Sequence, residues 1–345
     1  MQNLTRANQQ LFSRGADERF ATLSDLSAYC RQLQEHSTDR WIPPGGVCMH
    51  PEGGILRLAT EEGDSFDLND WSFSQLCGLS GVTKETVNRL TPDTAAQVFK
   101  ETLPGGIKPL QLFTMGNHLR SIHGASYTRL HNLDLLALVH EFATDFTPPQ
   151  PAGARGAEGG TGLYCGEQDM FCFMVDPTGW TEIDGEAFAP GFFLWNSEVG
   201  KRTVGVQTFW FQAVCANHIV WDAVEVVEFS RKHTANVHES LNQIRGIIEG
   251  LVAKRDQRRD RFAEVVRKAM SMQIGPNADE ALKLLSQRGI TRPLAKEALQ
   301  VAQEQGRLTI FAVVDALTRL AGRMKFAGDR TEVDQKASAL LALAA

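Results

Sequence analysis

The sequence predicts an α+β fold: an antiparallel β-meander packed against a long helix, with a helical C-terminal region. Three observations predict it. Apolar runs of strand length, parted by Pro177-Thr178-Gly179 and Glu198-Val199-Gly200-Lys201, fill residues 162–214. From Thr234 an amphipathic helical period takes over and runs to about Met272. Strands and helices are thus segregated along the chain rather than alternating, which separates α+β from a parallel α/β sheet.

Taken in order, residues 1–46 read as a polar leader with one amphipathic helix, Leu23 to Leu33, ending at Pro43-Pro44-Gly45-Gly46. The core is expected over 47–272 and the helical C-terminal region over 273–345. Val47 to His50 and Ile55 to Thr60, split by Pro51-Glu52-Gly53-Gly54, have the pattern of a hairpin. Asp70 to Leu103 reads as helices broken by turns, with Thr83 and Thr91 as N-caps and Pro92 at a first helical position. Leu110 to Tyr127 reads as two strands around the tight-turn pair Gly116-Asn117. Asn132 is expected to cap a helix from Leu133 to Phe146, and Pro148 to Gly162 is a loop rich in glycine and proline. Strands are expected at Gly162 to Asp176, Phe192 to Asn196 and Thr203 to Val214. Beyond the long helix, two or three shorter ones are parted by Gly275-Pro276, Gly289, Gly306 and Gly328.

The chain of 345 residues is 43% apolar and 22% charged, the proportions of a globular protein with a sizeable core. Its net charge of −6 argues against a surface coated for nucleic acid, yet binding follows the local field, so a basic groove remains open. The six cysteines form no CxxC pair and match no zinc ribbon or finger. No secretion signal or bilayer-length apolar run is present, so the sequence reads as a protein of the bacterial cytoplasm, with no membrane partner. No cofactor or metal is expected, and the absence of GxxxxGKS/T, HExxH and GxSxG argues against an ATPase, a zinc protease and a serine hydrolase.

The candidate site residues concentrate between Asn196 and Arg261. In the turn Asn196-Ser197-Glu198-Val199-Gly200-Lys201-Arg202, Asn196, Ser197 and Gly200 serve turn geometry, while Lys201 and Arg202 offer a hairpin tip for phosphate contact. Arg231-Lys232-His233 forms a cationic cluster where strand gives way to helix. Lys254, Arg255, Arg258 and Arg259 lie in the densest charge run, which suits a solvated helix face or a basic stripe. Cys215-Ala216-Asn217-His218 admits a nucleophile, but a thiol at a strand end is read as buried and structural, with Asn217 in the turn. His233 and His238, five apart, do not share a helix face as metal ligands would. Asp169, Asp176, Glu182, Asp184 and Glu186 leave a metal-dependent nuclease as the alternative.

These segments together resemble the phage/plasmid-like protein family defined by a domain of unknown function. The resemblance runs from about Asp70 to the C-terminus. It is carried by Asp70-Trp71-Ser72-Phe73-Ser74-Gln75-Leu76, Leu119-Arg120-Ser121-Ile122 leading to Ser126-Tyr127, Asn132-Leu133-Asp134-Leu135-Leu136, Asn196-Ser197-Glu198-Val199-Gly200, Val214-Cys215-Ala216-Asn217, Arg231-Lys232-His233-Thr234 and Thr309 to Thr318. Members commonly have Gly after the Cys-x-Asn, where this chain has His218. The resemblance implies a mobile-element protein and brings no activity with it. The meander-then-helix order is similar to the core of ring-forming single-strand annealing proteins, an analogy of fold alone. The expectation is a non-enzymatic protein that binds single-stranded DNA or RNA in replication or recombination and self-associates, by that analogy into a ring. Trp195, Trp210 and Trp221 are candidate stacking platforms. A protein that acts on a host or plasmid factor is the third reading.

Overall fold

The computed structural model describes residues 18–149, 162–212, 218–221, 227–304, 306, 308–324 and 326–345. In chain order the elements begin β1 (Glu18–Phe20), α1 (Leu23–Glu35), β2 (Ser37–Ile42), β3 (Val47–Glu52), β4 (Ile55–Thr60) and β5 (Ser65–Leu68). There follow α2 (Asp70–Leu79), α3 (Lys84–Arg89), α4 (Pro92–Thr102), β6 (Leu110–Met115), β7 (His118–Gly124) and α5 (Asn132–Glu141). The central strands are β8 (Leu163–Cys165), β9 (Met170–Val175), β10 (Thr181–Ile183), β11 (Glu186–Asn196), β12 (Val204–Gln212), β13 (His218–Trp221) and β14 (Glu228–Arg231). The chain then turns helical, with α6 (Ser240–Ala253), α7 (Arg255–Ser271), α8 (Ala278–Gln287), α9 (Arg292–Glu304), α10 (Ile310–Ala321) and α11 (Ala327–Ser338). The class is α+β, with a helical C-terminal region.

Two sheets divide the strands. The larger has the order β1-β8-β9-β11-β12-β13, with β10 beside β11 and β14 beside β12, all antiparallel. The smaller has the order β2-β6-β7-β5-β4-β3, antiparallel except where β5 lies parallel to β7. Helices α2 to α4 cover one face of the smaller sheet through Phe73, Leu76, Val87, Ala95 and Phe99. Local chemistry fixes these helices: Thr83 and Thr91 accept from the backbone amides of Thr86 and Thr94, and Pro92 opens α4.

Alternation along the larger sheet sorts its side chains into two cores. Met170, Cys172, Met174, Phe192, Leu194, Val204 and Val206 face α1, α5 and α6. The opposite face is aromatic and carries Phe171, Phe173, Phe193, Trp195 and Phe209. At the far end Phe188 and Trp210 join the C-terminal helices, with Trp210 stacked on Phe262 at 4.4 Å. Pro190 sits inside β11 where the neighbour changes from β10 to β9, so its missing N–H costs no ladder bond.

The structure corrects several expectations. Residues 18–42 are no detached leader: β1 pairs with β8, α1 buries Leu23, Leu26 and Cys30, and β2 is the edge of the smaller sheet. The expected long helix is two, broken at Lys254, where ψ rises to 18°. The break re-aims the chain, because α6 buries Ile244 and Ile248 in one core and α7 buries Phe262 and Val266 in another. Four helices follow α7, and Gly328 lies inside α11 rather than at a break. Helix α5 ends at Glu141, and its N-cap position is His131; the Asn132 side chain is turned inward instead. The apolar faces of α8 to α10 close on one another around Leu285, Leu299, Val314 and Leu317. Residues 150–161 of the Pro148–Gly162 loop lie outside the described residues.

Two glycines of the larger sheet test the packing. A Cβ on Gly205 would lie 2.2 Å from Trp195 Cζ2 and 2.6 Å from the Phe229 carbonyl oxygen. Gly205→Ala is expected to lower stability by roughly 1–3 kcal/mol through overpacking. Gly246, on α6 with nothing near its Cβ position, is the control, and Gly246→Ala should gain roughly 0.5–1 kcal/mol. Urea melts of the two variants measure this, and equal changes would contradict the tight Trp195–Gly205 approach.

Candidate nucleic-acid interface

The register of β12 and β14 brings the two cationic pairs together. Val204 lies opposite Arg231, so Lys201-Arg202, just before β12, and Lys232-His233, just after β14, leave the ladder at the same end. Rings line this end. The Lys201 ammonium sits 4.6 Å from the centroid of Trp71, the Arg202 guanidinium 5.6 Å from Phe171, and that of Arg231 5.6 Å from Phe229.

The four cations are not equally free. Arg202 donates from Nε to Asp169 Oδ2 at 2.8 Å, and its Nη1 lies 3.8 Å from Glu332. Arg231 donates to the Asn236 carbonyl oxygen at 2.8 Å and to Glu239 at 3.2 Å. Lys201 and Lys232 are exposed, and among the described residues neither forms an ion pair. His233 is only 6% exposed, so it does not belong to a phosphate-contacting surface.

The turn before these cations is not a solvated tip. Asn196, Ser197, Glu198 and Val199 are all buried, and Gly200 adopts a φ of +72°. A Cβ on Gly200 would lie 2.6 Å from His123 Cε1, so only glycine fits. Ser197 stays structural, with its hydroxyl accepting from the Lys201 amide at 2.8 Å. Asn196 donates to the Leu130 carbonyl oxygen and to Asn132 Oδ1, both at 2.9 Å.

The turn plugs into the uncovered side of the smaller sheet. Glu198 accepts from the Asn132 amide at 3.0 Å, with Arg120 at 3.3 Å and His131 at 3.5 Å. Arg129 donates to the Glu198 carbonyl oxygen and grips Asp39 with Nη2 at 2.7 Å and Nε at 3.2 Å. Trp71 Nε1 and His123 Nε2 donate to the Val199 carbonyl oxygen at 2.7 and 3.1 Å. Burial alone would raise the Glu198 carboxyl, but His131, Arg120 and the Asn132 amide together hold it below the ordinary carboxylate range.

Behind the turn three rings stack. Tyr127 lies 3.6 Å from His123 and 5.5 Å from His233, and its hydroxyl donates to the Glu198 carbonyl oxygen at 2.9 Å. Burial, with Arg129 nearby, pushes His123 down to about 4, and burial likewise pushes His233 down to about 4. Both rings are neutral at pH 7.

The expected basic stripe on α7 does not form as a unit. Arg258 is 5% exposed and donates to the Thr208 hydroxyl at 2.8 Å, so it is a core arginine. Arg259 is half-buried and paired with Asp256 and Asp260 at 3.0 and 3.1 Å. Lys254 is exposed at the α6–α7 break, and the Arg255 side chain lies outside the described residues. Cys215 and Asn217 also lie outside the described residues, as do the side chains of His218 and Trp221. Trp210 and Trp195 are buried, so neither stands as an open platform.

The carboxylates of 169–186 do not form one cluster, although Asp184 and Glu186 line a pocket with Asp315. Asp169 holds Arg202, Asp176 accepts from the Thr178 and Gly179 amides, and Glu186 accepts from Gln212 at 2.9 Å. Among the described residues no three of His, Cys, Asp and Glu are placed to hold a metal ion. Nor, among them, is any helix long and apolar enough to cross a membrane. The site residues missed by sequence reasoning are Asp39, Arg129 and His131. Two signals pointed to them: an apolar Val199 in a tight turn, and Arg120 inside the buried strand β7. No protein-family model, curated protein or solved structure matches this chain.

The stack makes stability depend on pH. His123 and His233 titrate near 4 when folded and near 6.5 when free, so their contribution is complete above about pH 6.5 and is lost as pH falls towards 4. The loss is about 3 kcal/mol per ring. Glu198, held low, extends the decline below the ordinary carboxylate range. Urea melts at pH 7.5, 6 and 4.5 should show this fall, with His233→Phe removing about half of it in the upper window. A flat profile would mean that the rings are hydrated.

Proposed function

We propose that this chain binds or anneals single-stranded nucleic acid without catalysis, contacting the phosphate backbone at the shared end of β12 and β14. The observation that carries the reading is the interleaving of cations with rings there: Lys201 with Trp71, Arg202 with Phe171, Arg231 with Phe229. Single-strand binders combine cationic tracks with aromatic surfaces in this way. The resemblance to mobile-element proteins agrees with a role in replication or recombination. The paired state of Arg202 and Arg231 assigns the free charge to Lys201 and Lys232, so a shallow salt dependence is expected.

A second reading, a protein that docks on another protein, has its own observation. Ile107 is 94% and Trp41 52% exposed, and Ile107 borders a groove of about 760 Å³ lined by Pro44, Pro104 and Pro109. Exposed apolar groups of this size mark interaction surfaces.

The two readings separate in one titration. Labelled single strands are titrated at several salt concentrations with the native chain and with Lys201→Ala/Lys232→Ala. Each phosphate contact adds about −0.7 to the slope of log affinity against log salt, so the variant should be shallower by about 1.4. Binding should weaken equally for every base sequence, with stability unchanged, because exposed cations contribute little to it. Identical slopes would leave the docking protein as the better reading.

A further inference from the structure

We infer that α11 is a detachable strap over a base-stacking surface, and that single strands bind by displacing it from the aromatic face of the larger sheet. The inference rests on the nucleic-acid reading and adds where the bases go. Tyr164, Phe171, Phe173, Phe193, Trp195 and Phe209 come from four neighbouring strands and share one face. Phe173 and Phe193 stack at 5.1 Å, and Phe193 and Trp195 at 4.9 Å. Among the ties of α11 to this face are two hydrogen bonds. Arg330 Nη1 donates to the Tyr164 hydroxyl at 3.1 Å on β8, and Gln335 donates to Gln207 at 2.8 Å on β12.

The cover is poorly matched to what it covers. The buried side of α11 consists of Arg330, Thr331, Asp334, Ala337 and Ser338; Arg330 reaches the Tyr164 hydroxyl, and Ala337 joins the core of the C-terminal helices. Asp334 is 1% exposed, yet neither carboxylate oxygen accepts a hydrogen bond from the described residues, and Arg330 Nε is 3.6 Å away. Burial pushes this carboxyl up to about 7, so the ionised form opposes docking. An apolar helix would seal the face permanently, whereas a polar one leaves at lower cost. The face also continues into the cationic end. Arg202 lies over Phe171, pairs with Glu332 of α11 and touches the position of a Gly328 Cβ. Lifting α11 takes Glu332 away from that guanidinium, which stays bonded to Asp169, and uncovers the rings beside it. Bases are the matching occupant, because stacking on rings beside a cationic track needs no particular sequence.

The test uses the full chain and a labelled oligothymidylate at pH 8. The apparent dissociation constant equals the intrinsic one divided by the open fraction, so loosening and tightening the strap must act in opposite directions. Arg330→Ala/Gln335→Ala, which removes these two hydrogen bonds, should bind about five-fold tighter or better. Asp334→Asn, which mimics the protonated carboxyl, should bind several-fold weaker. Hydrogen exchange on the native chain needs no variant: the α11 amides should lose protection when the oligonucleotide binds. Salt-dependent binding with α11 amides still protected, and with both variants unchanged, would overturn the strap and leave the cationic interface standing. No binding by any variant at low salt would overturn both.

Discussion

A buried carboxylate, Glu198, is the contact on which the joining of the two sheets depends. It leaves the larger sheet at the end of β11 and meets Arg120 from β7, His131 and the first amide of α5. A helix N-terminus and a guanidinium are the groups that make a buried anion tolerable. Removing one partner from such a cluster strands the other charge, at a cost of about 3–5 kcal/mol. The positive φ of Gly200, the ring stack and the start of the Lys201-Arg202 segment all lie within a few residues or one contact of that side chain.

What was legible in the sequence was what local chemistry decides. The caps at Thr83 and Thr91, the Gly116-Asn117 turn and the Ile55 to Thr60 strand each follow from a few adjacent residues. Residues 18–42 were illegible as part of the fold because an edge strand keeps many side chains wet: Thr38, Asp39 and Trp41 are exposed on β2. The break at Lys254 carries no glycine or proline, and only the change of core from Ile248 to Phe262 explains it.

The candidate site was legible as a set of charges and not as an arrangement. The strand register that sets Lys201-Arg202 beside Lys232 is a tertiary fact, and so is the pairing that quiets Arg202 and Arg231. Asn-Ser-Glu reads as solvated because those residues usually are, yet here each has a buried partner. Arg258 shows the same failure in reverse, since a charge-rich helix still sends one arginine inward to Thr208. Polar burial of this kind arises from residues far apart in the chain, such as His123 and His233, which no window contains.

The pairing of β1 with β8 has a consequence for synthesis on the ribosome. Every strand of the smaller sheet lies between Ser37 and Gly124, so that sheet can close as soon as β7 has left the exit tunnel. Glu18 must wait for Cys165, and α1 waits with it for the strands that complete its core. Residues 18–35 thus dock long after they are made, and Leu23, Leu26 and Cys30 stay without the strands of their core through the translation of more than a hundred codons. Such an interval favours capture by chaperones, because exposed apolar groups on a nascent chain are what these recognise.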